Sequence, residues 1–319
     1  MLHEKGVLRP IAVADAQVAH SILQASAEEA GCPSPPQAAI SNTLERLSSV
    51  LALDSRLLWI DGRPAAVALL FLPPLSGDPS VISLVFDVHP SFREAEAIER
   101  LAAWIDGRVR EAKREHPEIE RLRSSCDLRN HARSRGIEAL GFSPERYSFR
   151  MQATLDVSDA SPELSSGLRL SVWDDQQSSS ALDVFNKAFL GHWGLPVLDE
   201  ETWRSRFIDV SQFRAKASVL ALHEDEVVGL CINWLLPEKN PGEGETGWIE
   251  AIGVLPSHRG QGIADAMMIQ SLNAFAEQGL SRVELDVDTQ NETGALGLYE
   301  KHGFRPIQQT VLLEKRTGA

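Results

Sequence analysis

The chain has 319 residues, 43% of them apolar and 24% charged, which is the balance of a folded protein with room for two domains of about 150 residues each. Its 31 basic and 45 acidic residues leave a net charge of −14, a field that repels polyanions and excludes nucleic acid as an expected partner. No apolar run reaches the roughly 18 residues of a membrane span, and MLHEKGVLRP carries charges and a proline where a signal peptide would be apolar, so no membrane is expected and the expected address is the cytoplasm.

In chain order, the apolar periodicity predicts a strand at Val7 to Ile11, helices over Asp15 to Ala30 and Pro36 to Val50, and strands at Leu57 to Ile60, Ala65 to Leu72 and Val81 to Val88. A helix from Phe92 to about Arg114, a strand at Ile119 to Ser124, a helix at Asn130 to Leu140 and a strand through Phe149 complete this half. Asp156 to Gly167 is rich in serine and acidic residues without apolar periodicity and marks a boundary; the expected domains are residues 1–157 and 166–319, with 158–165 as linker. The same order then returns: a strand at Leu168 to Val172, helices over Asp175 to Leu190 and Asp199 to Val210, and strands at Ala217 to Leu222 and Val227 to Leu236. It ends with a strand at Trp248 to Val254, a helix over Gly262 to Gln278, a strand at Arg282 to Val287, a helix over Thr293 to His302 and a strand at Val311 to Leu313.

The two halves therefore repeat one α+β pattern. VHPSFR, ending at Arg93, matches VLPSHR, ending at Arg259, and Gly141-Phe142 matches Gly303-Phe304. Duplication explains both pairs at nearly one register. Cys32, Cys126 and Cys231 have no partner at metal-ligand spacing and are too few for a disulfide framework. They are expected to be reduced and buried, and no metal is expected.

After the strand ending at Val254, Arg259-Gly260-Gln261-Gly262-Ile263-Ala264 opens a helix with apolar positions 263, 264, 267, 268, 272 and 275 on one face, Ser271 among them. A glycine turn leading into a helix N-terminus is an anion site, because the backbone can approach closely and the first-turn amides have no partner inside the helix. A plain tight turn is the competing reading of RGQG taken alone. The second element, Asn291-Glu292-Thr293-Gly294-Ala295 followed by Leu298-Tyr299-Glu300 and Gly303-Phe304, goes beyond that reading.

Together, V-x-P-x-x-R-G-x-G-x-A and N-x-T-G-A-x-x-L-Y-E-x-x-G-F resemble the acetyl-CoA-dependent N-acetyltransferase superfamily known as GNAT. Two linked domains of this kind, the C-terminal one intact, are similar to the mycothiol synthase type of tandem acetyltransferase. The resemblance implies two GNAT-like domains, each a mixed, largely antiparallel sheet flanked by helices. It implies that the amides of Arg259, Gly260, Gln261, Gly262, Ile263 and Ala264 hold the CoA pyrophosphate. It also implies that the backbone of Ile252, Gly253 and Val254 runs along the pantetheine, that Asn291 contacts that arm, and that Tyr299 lies near the thioester sulfur. Acetyl-CoA is then the cosubstrate and a small-molecule amine the acceptor. A protein or peptide acetyltransferase and a non-catalytic CoA-binding regulator are the alternatives.

The first half reads Glu94 and Glu96 where the second reads Gly260 and Gly262, and Ile137 where it reads Tyr299. Carboxylates would face phosphate there and side chains would fill the space the backbone needs, so this half is expected not to bind CoA in the usual way.

For catalysis, Tyr299 is the expected acid, since a phenol with a reference pKa of about 10 is protonated at neutral pH. Glu250 is the expected base, and strand alternation puts it on one face with Trp248 and Ile252. In the mycothiol synthase pattern the strand glutamate would fall at Trp248. Asp286, Asp288 and water are the other candidate bases. His192 and Trp193, in the loop after the first helix of this half, are the expected acceptor-binding residues. Trp203, Asn233 and Trp234 are further candidates for lining that pocket and are given no role. Nothing in the sequence chooses between monomer and dimer.

Overall fold

The computed structural model describes residues 6–73, 75–76, 78–93, 95–155, 164–238, 244–290 and 294–318, without the side chains of 95–97. In chain order the elements are β1 (Val7–Arg9), α1 (Ala16–Ala30), α2 (Gln37–Arg46), α3 (Leu51–Asp54), β2 (Ser55–Ile60), β3 (Arg63–Phe71), β4 (Val81–Val88), α4 (Ala95–Glu115), β5 (Arg121–Asp127), α5 (His131–Ala139) and β6 (Ser143–Thr154). They continue as β7 (Leu168–Val172), α6 (Ser178–Ala188), α7 (Glu200–Trp203), β8 (Val219–His223), β9 (Glu226–Leu236), β10 (Thr246–Val254), α8 (Ile263–Glu277), β11 (Arg282–Asp288), α9 (Ala295–Lys301) and β12 (Arg305–Arg316).

The chain forms two compact units, Met1–Ser148 with Gln309–Ala319, and Phe149–Gln308. This partition differs from the expected halves 1–157 and 166–319. The 12-residue strands β6 and β12 each divide between the units, after Ser148 and Gln308. Composition marks loops and cannot register that. The expected linker falls mostly on 156–163, outside the described residues.

In the first unit the strands run β1-β2-β3-β4-β5, antiparallel except for the parallel β4–β5 pair, and Thr310 to Arg316 of β12 lie antiparallel on β5. β3 shows why the sheet is covered on both faces. Ala66, Ala68 and Leu70 join the core under α4 and α5, whereas Val67 and Leu69 join the core under α1 and α2. That alternation is the period-2 signature of a strand buried on both sides.

In the second unit the order is β7-β8-β9-β10-β11-β6, with β10 and β11 parallel. Val219 and Ala221 of β8 face α8, while Leu220 and Leu222 face α6 and the α7 segment. The helix expected over Asp199 to Val210 is a four-residue α7 followed by a π-helical turn at Arg204–Ile208. No helix among the described residues is long and apolar enough to cross a membrane. Cys126 and Cys231 are buried, but Cys32 is only half-buried, because it lies just past the left-handed Gly31 that ends α1.

Candidate active site

The alternation expected along β10 fails at one residue. Between β9 and β10 the pairing passes from Ile249↔Asn233 to Ala251↔Ile232, so Glu250 is the extra residue of a β-bulge. Ile249 faces the core with α8 and α9, Ala251 faces the opposite core with α6, and Ile252 returns to the first. Glu250 therefore keeps company with Trp248, whose indole Nε1 donates to its Oε2 at 2.8 Å, but not with Ile252.

The described ladder between β10 and β11 covers Gly247↔Val283 and Trp248↔Glu284, near the start of both strands. Both strands run on past it, β10 carrying Ile252, Gly253 and Val254 to the loop ahead of α8.

In that loop Gly260 and Gly262 both have φ of +76°, and nothing stands within 4 Å of where a Cβ would sit. Only glycine takes this conformation without strain. Gly262 is the N-cap of α8 and has no side chain to cap it, so the amides of the first turn, Ile263 and Ala264 among them, are free to donate at the positive end of the helix dipole. Gln261 is exposed, whereas the Ile263 side chain is buried, so what Ile263 offers is its backbone. These features fit the phosphate-holding role expected of the loop.

Arg259 is tied into the protein. Its Nε donates to Val254 O at 3.2 Å and its Nη2 to Ala188 O, the last residue of α6, at 2.9 Å. At the same end of β10, a Cβ on Gly253 would lie 2.9 Å from the Phe189 ring. The loop that follows is thereby anchored: His192 packs edge-on to Phe189 with centroids 5.8 Å apart, and its Nδ1 lies 3.2 Å from Trp193 O. Trp203 and Asn233 do not line this region. Both are fully buried, Trp203 donating to Ser178 Oγ and Asn233 to Ala217 O and Ser271 Oγ.

Tyr299, on α9, is 8% exposed and packs against Phe304 within the α8–α9 core. Burial, reinforced by Cys231, pushes its phenol above the ordinary value, so it is protonated at neutral pH. Burial also pushes the Glu250 carboxyl up, and Asp286 adds to this, while Trp248 and Arg206 pull it down. Asp286 is held by Arg150 through two 3.0 Å bonds, and Asp288 accepts from the Gln290 amide at 2.8 Å. Asn291 lies outside the described residues.

Two pairings had no signal in the sequence, because their members are far apart along it. Arg150 of β6 stacks over the Trp248 ring with 5.0 Å to its centroid. Asp265, in the first turn of α8, meets Lys301 Nζ at 2.6 Å and His302 Nε2 at 2.8 Å, which fastens the start of α8 to the end of α9.

In the first unit, Arg93 occupies the place of Arg259 and pairs with Glu29, next to the end of α1. Glu94 lies outside the described residues, and nothing is described of the Glu96 side chain. A cavity of about 220 Å³ lies here, lined by Asp87, Val88, Arg93, Arg133 and Gly136 among others.

The profile of the acetyltransferase (GNAT) family matches residues 180–304. A mycothiol acetyltransferase of Thermobispora bispora is 30% identical over 258 residues, covering 78% of this chain and 79% of its own. One of Renibacterium salmoninarum is 26% identical over 255 residues, covering 72% of this chain and 65% of its own. Among solved structures, a GCN5-related N-acetyltransferase from Sphaerobacter thermophilus superposes with a TM-score of 0.79 at 22% identity, over 100% of this chain and 98% of that one. A tandem GNAT protein from the clavulanic acid biosynthesis pathway gives 0.66 at 16% identity, over 99% of both chains.

Proposed function

From the premise that the chain belongs to the acetyltransferase (GNAT) family, we propose that its Phe149–Gln308 unit transfers the acetyl group of acetyl-CoA to the primary amine of a small molecule. One observation carries this reading: a pair of open, left-handed glycines sets the uncapped amides of α8 at the end of a bulged strand. Loop amides from Arg259 to Ala264 hold the pyrophosphate, Ile252 to Val254 run beside the pantetheine, and Asn291 steadies that arm. Acetyl-CoA supplies the activated acyl group.

Glu250, ionised, accepts a proton from the incoming ammonium, and the freed amine attacks the thioester carbonyl carbon. The carbon–nitrogen bond forms, the carbon–sulfur bond breaks, and the Tyr299 hydroxyl gives its proton to the departing sulfur. The surplus proton on the acylated nitrogen then leaves to restore the Tyr299 phenol, and Glu250 releases its own proton to solvent, so the products are the amide, free CoA thiol and one proton. His192 and Trp193 contact the acceptor from the loop anchored by Phe189.

The shared name of the two relatives makes amino-thiols the first acceptors to try. The test is acetyl-CoA-dependent release of free CoA with panels of amino-thiols, amino sugars, aminoglycosides and N-terminal peptides. Turnover of a small amine supports the reading. Acetylation of peptides alone, or acetyl-CoA binding without transfer to any amine, overturns it.

A further inference from the structure

The bulge that places Glu250 also loosens it. An extra strand residue is released from the regular ladder, so the backbone alone leaves its carboxylate free to rotate. The fixing contact comes from two residues earlier in β10, where Trp248 Nε1 donates to Glu250 Oε2 at 2.8 Å. The indole is itself held: Trp248 is 8% exposed, and the Arg150 guanidinium lies over its ring at 5.0 Å. Arg150 in turn is fixed by the two 3.0 Å bonds to Asp286 on β11. The order of contact is Asp286, Arg150, Trp248, Glu250, drawn from β11, β6 and β10 of one unit.

We propose that Trp248 is a positioning residue that holds Glu250 in a single ionised orientation for the acceptor amine. This rests on the reading of Glu250 as the base. An indole N–H can only donate, so it stabilises the carboxylate more than the neutral acid, whose oxygens are weaker acceptors. Burial works in the opposite direction on Glu250. The charged groups acting on it are Arg206, from the turn after α7, which favours ionisation, and Asp286 on β11, which opposes it. Glu284 on β11 and Asp286 act on Arg150. A tryptophan that only filled space would leave the titration of Glu250 unmoved.

The test uses the full chain with ¹⁵N-labelled tryptophan, and needs no acceptor. Among the seven tryptophans, the Trp248 indole resonance is identified by its loss in Trp248→Phe. In the wild type that resonance should titrate in one step above the ordinary carboxylate range. The step should vanish in Glu250→Gln. An indole signal that does not titrate, or that titrates unchanged in Glu250→Gln, overturns the proposal.

With an acceptor from the panel, the acidic limb of kcat/KM in Trp248→Phe should move up by about one pH unit, the size expected for losing one hydrogen bond to the ionised form. Circular dichroism and acetyl-CoA affinity serve as controls for the fold. A limb that survives Glu250→Gln removes the premise that Glu250 is the base. A limb lost in Glu250→Gln but unmoved in Trp248→Phe removes the positioning role alone.

Discussion

Burial raises the titration of both Tyr299 and Glu250, with opposite consequences for the proposed chemistry. A raised phenol stays a proton donor over the whole working range, whereas a raised carboxylate must be above its own pKa to act as base. Activity should therefore fall as pH falls through a value above the ordinary carboxylate range, and Glu250→Gln should abolish that limb of the kcat/KM profile. Tyr299→Phe keeps the packing on Phe304 and should leave acetyl-CoA affinity nearly unchanged. Single-turnover acetylation should drop on the order of 10²-fold, as for loss of a general acid; wild-type turnover with chemistry limiting would show that the sulfur leaves without this proton. At the loop, Gly262→Glu copies the residue that the first half carries at Glu96. Space is open there but φ is +76°, so the fold should lose about 1–2 kcal/mol while acetyl-CoA binding by calorimetry disappears. Gly262→Ala, which shares the strain without the charge, should keep measurable binding.

At the scale of elements, most of the strands and helices follow from apolar periodicity, because period 2 and period 3.6 write different faces into the sequence. β4 and β7 start and end where the spacing predicts, and α1, α5, α8 and α9 lie within a residue or two of it. Two of the departures have physical causes. The helix after Asp199 widens into a π turn as Trp203, Phe207 and Ile208 all bury together, and the bulge at Glu250 breaks the alternation on which its facing was inferred. Arg259 joins two elements, the end of α6 and the end of β10. Arg259→Met should free both, raising KM for acetyl-CoA by roughly tenfold, the equivalent of about 1.4 kcal/mol for the lost bonds, with a modest fall in Tm. An unchanged KM would mean that the loop holds its shape without this link.

For the whole molecule, the prediction is one acetyl-CoA per chain. The sequence places carboxylates at residues 94 and 96 where the second half has glycines. Isothermal calorimetry should give a stoichiometry of one, abolished by Gly262→Glu. A stoichiometry of two, or residual binding in that variant, would show that the first unit still takes the cosubstrate.

By itself the sequence determined the duplication, the α+β pattern of each half, the glycine loop and the motif around Tyr299, because each is a local pattern of apolar period, glycine or motif spacing that survives without knowledge of contacts. The tertiary structure decided which strand residues complete which unit, since β6 and β12 divide at Ser148 and Gln308, and hydrogen-bonding edges are not written in composition. It decided as well how Glu250 faces, because a bulge depends on the register between two strands. And it decided the company Glu250 keeps, because Arg150, Trp248 and Asp286 meet only when β6, β10 and β11 lie side by side.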